Sequence, residues 1–90
     1  GMKSQINDDF LKAYRKLPKD MREHARKAYR LFRDNPQHPS LNFKPVRSNQ
    51  PIYSARISRG YRTVGIRVGD TIVWFWIGSH ADYDKLLSSL

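Results

Sequence analysis

Residues 52–77, IYSARISRGYRTVGIRVGDTIVWFWI, carry the signal that decides the fold. Apolar and polar side chains alternate from Ile52 to Ser58, a second run follows from Tyr61 to Val68, and a third from Thr71 to Ile77. A period of two is the mark of half-buried strands. Ser58-Arg59-Gly60 and Val68-Gly69-Asp70 are short enough to be hairpin connections, and the order Gly-Asp suits a type II′ turn. The segment therefore reads as an antiparallel meander. Its last strand, Ile72-Val73-Trp74-Phe75-Trp76-Ile77, is apolar on both parities, which predicts a central strand covered on both faces. Strict alternation also puts Trp74 and Trp76 on one face with Ile72, and Ser54, Arg56 and Ser58 together on a polar face.

Upstream, the period changes. Phe10, Leu11, Tyr14 and Leu17 gather on one side of a helix that Asn7 or Asp8 can cap. Pro18 suits the first position of a second helix, with Asp20 and Glu23 near its N-terminus and Met21, Ala25, Ala28 and Phe32 as its buried stripe. Lys19, Arg22, Arg26, Arg30 and Arg33 recur on the same helix as a basic stripe about 130° around the axis, expected to face solvent or a polyanion. Asn35-Pro36 ends that helix, and four of the five prolines lie between Asn35 and Pro51, dividing a helical half from a strand half. Lys3–Ile6 is a candidate short N-terminal edge strand. Ala81–Leu90, carrying Tyr83, Leu86, Leu87 and Leu90, is a candidate C-terminal helix. The fold class is α+β, with an N-terminal helical hairpin packed on one face of a small antiparallel sheet. One domain spans residues 2–90, and Gly1 ahead of Met2 reads as a tag remnant.

Composition narrows the function. Ninety residues are too few for a second independent core. With no cysteine and three scattered histidines, no metal and no cofactor are expected. The longest apolar run, Thr71–Ile77, is far short of the roughly 18 residues a membrane span needs. The first dozen residues are polar, so a cytoplasmic protein with no membrane partner is expected. Seventeen Lys and Arg against eight Asp and Glu give a net charge of +9, which points to a phosphate-rich partner.

Three stretches carry a resemblance: Phe10-Leu11-Lys12-Ala13-Tyr14-Arg15-Lys16-Leu17-Pro18, Ile52 through Arg62, and Trp76-Ile77-Gly78-Ser79-His80-Ala81-Asp82. In order and spacing the chain resembles the RelE/ParE superfamily of toxins from type II toxin–antitoxin systems, from Phe10 to Leu87. The closing Gly-Ser-His looks most like the YafQ-like branch. The resemblance implies a metal-free endoribonuclease that cuts mRNA at the ribosome, with a cognate antitoxin as partner. For the ParE branch it implies instead a non-catalytic inhibitor of DNA gyrase; a stand-alone relative with weakened toxicity is a further alternative. It makes Arg62 a phosphate-stabilising residue and His80 the proton-transfer residue, with Arg56 of the polar strand face a second residue for the phosphate. The family's lysine two residues before Arg56 is Ser54 here. The aromatic residue of the YafQ pattern falls on Asp84, with Tyr83 one place early.

Independently of the resemblance, such a nuclease must deprotonate a 2′-hydroxyl, stabilise charge on the phosphate and protonate the leaving 5′-oxygen. Guanidinium groups fit phosphate oxygens bidentately, and histidine alone titrates near neutrality without perturbation. Taken with the positions the resemblance marks, this makes Arg62, Arg56 and His80 the candidate catalytic residues. Lys19, Arg22, Arg26, Arg30, Arg33 and Tyr61 are candidates for binding RNA or the ribosome, and Ser54, Asp82 and Tyr83 could support the site.

Overall fold

Asn7 opens the first helix: its side-chain oxygen accepts from the Phe10 backbone N–H at 3.0 Å, satisfying one of the donors a helix start leaves unpaired. The helix that follows, α1 (Asp8–Arg15), is joined by a tight turn to α2 (Lys19–Asp34). Pro18 stands just before the first residue of α2 rather than on it, and its carbonyl accepts from the Arg22 N–H. Two arginines staple the hairpin. Arg22 donates to the Leu17 carbonyl at 2.7 Å, and Arg26 donates to the Tyr14 hydroxyl at 2.6 Å.

The computed structural model describes residues 2–90. Besides the two helices it contains β1 (Lys3–Ile6), a single 3-10 turn (Pro39–Leu41), β2 (Lys44–Pro45), β3 (Ile52–Ser58), β4 (Tyr61–Val68), β5 (Thr71–Ser79) and α3 (His80–Ser89). The sheet order is β1-β5-β4-β3-β2. The meander and both terminal elements expected from sequence are present, with two differences. β1 runs parallel to β5 and pairs with it only over Thr71–Trp74, so the sheet is mixed. The central strand is β4, because β1 adds at the β5 edge and β2 at the β3 edge. Gly69 has φ +62° while Asp70 keeps φ negative, as a type II′ turn requires.

Helices α1 and α2 cover one sheet face. Phe32 and Leu41 pack there on Ala55, Ile72 and Trp74, and a second cluster joins Leu17 and Ala25 to Ile77. Phe32 meets the Trp74 indole edge to face at 5.3 Å and Phe43 at 4.9 Å, the favoured arrangement for aromatic pairs. The Trp74 indole N–H, buried with the ring, donates to Ser4 Oγ at 2.8 Å and so ties β1 to the core.

Two β-bulges change which residues share a face. Arg56 opposes Arg62 while Ser58 opposes Tyr61, making Ile57 an extra residue on β3. Ser58 therefore leaves the parity of Arg56 and turns to the helices, where its hydroxyl donates to Met21 Sδ at 3.4 Å. On β5, Trp74 opposes Gly65 while Trp76 opposes Val64, so Phe75 is the extra residue and the two tryptophans fall on opposite faces. The single face expected for Trp74 and Trp76 is thus split, and so is the polar face expected for Ser54, Arg56 and Ser58.

Gly65 lies under the Trp74 ring: a Cβ there would be 2.8 Å from Trp74 Cε3 and 2.9 Å from the Val73 carbonyl oxygen. Gly65→Ala should lower stability by about 1–3 kcal/mol, the range for overpacking. Gly60→Ala meets nothing within 4 Å and should stay within roughly 0.5 kcal/mol of the parent. Equilibrium urea unfolding of both variants checks this; equal midpoints would show that Trp74 does not press on Gly65.

Candidate active site

The sheet face away from α1 and α2 gathers Ser54 and Arg56 from β3, Arg62 and Val64 from β4, and Trp76 and Gly78 from β5. Arg56 and Arg62 stand directly opposite each other in the register. Side chains at such a position come close, and like charges there repel. Among the described residues the ion pairs are Arg33–Asp34 and His80–Asp84, so neither arginine has a carboxylate to neutralise it. Gly78 is the neighbour of Arg62 on the other side, and the Trp76 ring folds over it: a Cβ on Gly78 would fall 2.5 Å from Trp76 Cζ2. A flat indole surface thereby lies beside the arginine pair.

Helix α3 borders this face. Ser79 caps it, its Oγ accepting from the Asp82 N–H at 3.2 Å, and the His80 N–H donates to the Gly60 carbonyl at 2.8 Å. His80 is therefore the first residue of a helix, and the strand runs two residues beyond Ile77. Tyr83 is the meeting point. The Arg62 guanidinium carbon lies 5.8 Å from the Tyr83 ring centroid, and the rings of His80 and Trp76 lie 5.7 and 6.5 Å from it. A cation over an aromatic face is attracted without losing its charge. Arg62 Nη1 is buried with no hydrogen-bond partner in the chain, and so is Ser54 Oγ, whose residue is only 1% exposed.

The His80 side chain is 50% exposed, with Nδ1 3.4 Å from Asp84 Oδ2 one turn along α3. Contact through Nδ1 leaves Nε2 as the nitrogen available for proton transfer. Asp84, which departs from the YafQ pattern, is thus the carboxylate that can orient the imidazole. Arg47, from the β2–β3 loop, holds the far end of α3 by donating to the Leu87 carbonyl at 2.8 Å.

Other expected site residues lie elsewhere. Tyr61 sits on the helix side of the sheet with Leu17, Ala25 and Ile77, so it does not join Arg62. The basic stripe is divided: Arg22 bonds to the α1–α2 turn and Arg26, though exposed, to Tyr14 of α1, whereas Lys19, Arg30 and Arg33 are exposed and make no such bond. Ser54 is on the arginine face but sealed from solvent. Asp82 borders a groove with Asp9, Lys12 and Lys16 at the free half of β5. By sequence parity Trp76 shares a face with Trp74 and reads as core before it reads as a stacking surface; the bulge at Phe75 is what brings it to this face.

Known proteins share this fold. The chain is similar to YafQ from E. coli strain BL21(DE3), with a TM-score of 0.72 at 12% identity over 92% of this chain and 98% of that one. A chain of the RelB-RelE antitoxin-toxin complex from Methanococcus jannaschii gives 0.74 at 16% identity, over 91% and 96%. The intact E. coli RelBE toxin-antitoxin complex gives 0.64 at 21% identity, over 88% and 96%. At such identities the likeness establishes the fold. No curated protein matches the sequence. The ParE-like toxin domain model matches residues 19–85, from the first residue of α2 to the middle of α3 and so across the whole arginine face. With most of its length inside that match, the chain belongs to the ParE-like toxin domain family of the RelE/ParE superfamily of toxin–antitoxin toxins.

Proposed function

We propose that the protein is a metal-free endoribonuclease that cuts mRNA in the cytoplasm, at the ribosome, and is held in check by a cognate antitoxin. The observation that carries this reading is the pair Arg56 and Arg62, directly opposite each other and, among the described residues, in no ion pair with a carboxylate. Such a pair is unfavourable in the free protein and becomes favourable when a phosphodiester lies across it.

In this reading the 2′-oxygen attacks the adjacent phosphorus, the bond to the 5′-oxygen breaks, and a cyclic 2′,3′-phosphate and a 5′-hydroxyl result. One proton leaves the 2′-oxygen and one arrives at the 5′-oxygen, so the count closes without a metal. His80, oriented through Nδ1 by Asp84, makes one of these transfers. Arg62 and Arg56 offset the charge that grows on the phosphate oxygens. Trp76 and Tyr83 offer flat surfaces on which bases beside the scissile bond can stack. Exposed Lys19, Arg30 and Arg33 of α2 supply contacts to ribosomal RNA. The antitoxin–toxin complexes among the similar structures support an antitoxin partner.

Arg62→Ala should leave the fold intact and slow transcript cleavage by about 10²–10³-fold, the loss seen when one preorganised charge-stabilising donor is removed. Arg62→Lys should recover only part of that, because it restores charge without the planar fork. A stability loss with undiminished specific activity would make Arg62 structural.

Reversing Arg30 and Arg33 together to glutamate should weaken ribosome association and flatten its log–log salt dependence by roughly 0.7–0.9 per lost contact. Sedimentation of ribosomes at several salt concentrations reads this; an unaltered slope would return those side chains to an ordinary solvated surface.

The ParE-like description of the matched family favours one competing reading, inhibition of DNA gyrase without catalysis. His80 separates the two. His80→Ala should reduce cleavage by about 10²–10⁴-fold and abolish growth inhibition with it, and His80→Gln should rescue neither. Growth inhibition that survives His80→Ala, with altered DNA supercoiling and no new transcript ends, would establish the gyrase reading instead.

A further inference from the structure

A second cationic feature lies around the corner from the arginine face. β2 pairs with β3 only at Tyr53 and Ser54, so from Ala55 to Ser58 the outer edge of β3 has no strand partner. Between that edge and α2 runs a groove of about 290 Å³ whose lining includes His24 and Lys27 from α2 and Arg56 from β3. His24 and Lys27 are three residues apart on one helix and so are neighbours on its surface. No lining residue is acidic, and Glu23, one turn before Lys27, makes no ion pair with it among the described residues. The groove at the free half of β5 differs, because Asp9 and Asp82 offset Lys12 and Lys16 there.

We infer that the groove between α2 and the free edge of β3 is a second phosphate subsite, which takes the RNA backbone next to the phosphate held by Arg56 and Arg62. Arg56 is common to the groove and to the arginine face, so a single strand crossing the sheet can continue into the groove without leaving positive surface. The inference rests on the nuclease reading for the position of the scissile phosphate. It adds a place where the flanking strand is gripped, and the groove's role is in affinity rather than chemistry.

The test measures binding of the full-length protein to a labelled single-stranded RNA of roughly 12 nucleotides, long enough to span both subsites, by fluorescence anisotropy over a series of salt concentrations. The double variant His24→Gln, Lys27→Ala should bind more weakly, with a log–log salt slope shallower by about 0.7, one phosphate contact on a single strand. Under saturating substrate its cleavage rate should stay at the parent level, so that KM rises and kcat does not. Lys3→Ala, the same change of charge on β1 at the opposite sheet edge, should leave slope and affinity unaltered. A double variant indistinguishable from Lys3→Ala overturns the inference. If its RNA curves match the parent's while its affinity for poly-glutamate falls, the groove docks an acidic protein and the inference fails in that direction. Should the parent bind RNA through the groove without cutting any, the nuclease reading falls and the subsite stands. Cleavage that needs Arg62, with a KM indifferent to His24 and Lys27, gives the reverse.

Discussion

The extra residue at Phe75 is the constraint on which the two halves of the molecule depend. Without it, Trp74 and Trp76 would project to the same side of β5; with it, β5 supplies one large aromatic ring to each face. Trp74 closes the core against Phe32 and Phe43, joining the helical hairpin, the proline-rich segment and the sheet through one indole. Trp76 lies over Gly78 on the other face and helps form the wall against which Tyr83 and α3 rest. Both rings need a glycine beneath them, Gly65 and Gly78 respectively, so two residues without a Cβ belong to the same device as the bulge.

On the arginine face the molecule accepts an electrostatic cost and limits it by aromatic rather than ionic means. A carboxylate beside Arg62 would lower the repulsion from Arg56, but it would also occupy the donors a phosphate needs. Tyr83 leaves the charge available. It attracts the guanidinium through its ring face and fixes its direction, and it has no acceptor group that competes for every N–H. The buried, unpartnered Nη1 of Arg62 is the residual strain of that arrangement. Helix α3 carries Tyr83, His80 and Asp84 on one short element, fastened by Ser79 at one end and by Arg47 at the other. Its position therefore sets three parts of the site at once.

Periodicity was enough for most of the fold. The helices follow from Phe10, Leu11, Tyr14, Leu17 and from Ala25, Ala28, Phe32, and the strands from alternation between Ile52 and Ile77. What alternation cannot reveal is a bulge, because one inserted residue leaves the local pattern of apolar and polar residues nearly unchanged while it exchanges the faces beyond it. The placements of Ser58 and Trp76 turned on that point. Tyr61 was misplaced for a related reason: it is next to Arg62, and neighbours on a strand face opposite ways. The site was partly legible. Arg62 and His80 come together, but through Tyr83 and with Asp84 as the imidazole's neighbour, a relation that depends on where α3 settles against the sheet. The parallel pairing of β1 had no local signal, since it joins residues some seventy positions apart.

The division of the basic stripe shows why a count of positive charges is a poor map of a binding surface. Arg22 and Arg26 have the helical spacing of the stripe, yet their guanidinium groups reach back to the turn and to α1 and satisfy the Leu17 carbonyl and the Tyr14 hydroxyl. The turn between α1 and α2 leaves carbonyls exposed at the end of α1, and a long arginine on the next helix can satisfy them without lengthening the loop. The arginines nearest the turn are thereby used for the fold, while Arg30 and Arg33, farther along α2, make no bond to the first helix or the turn. On the sheet the order is reversed: the arginines most crowded together, Arg56 and Arg62, have no carboxylate partner, and the fold holds them there at its own expense. Charge held against its own repulsion is a stronger sign of an external anion than charge that merely points to water.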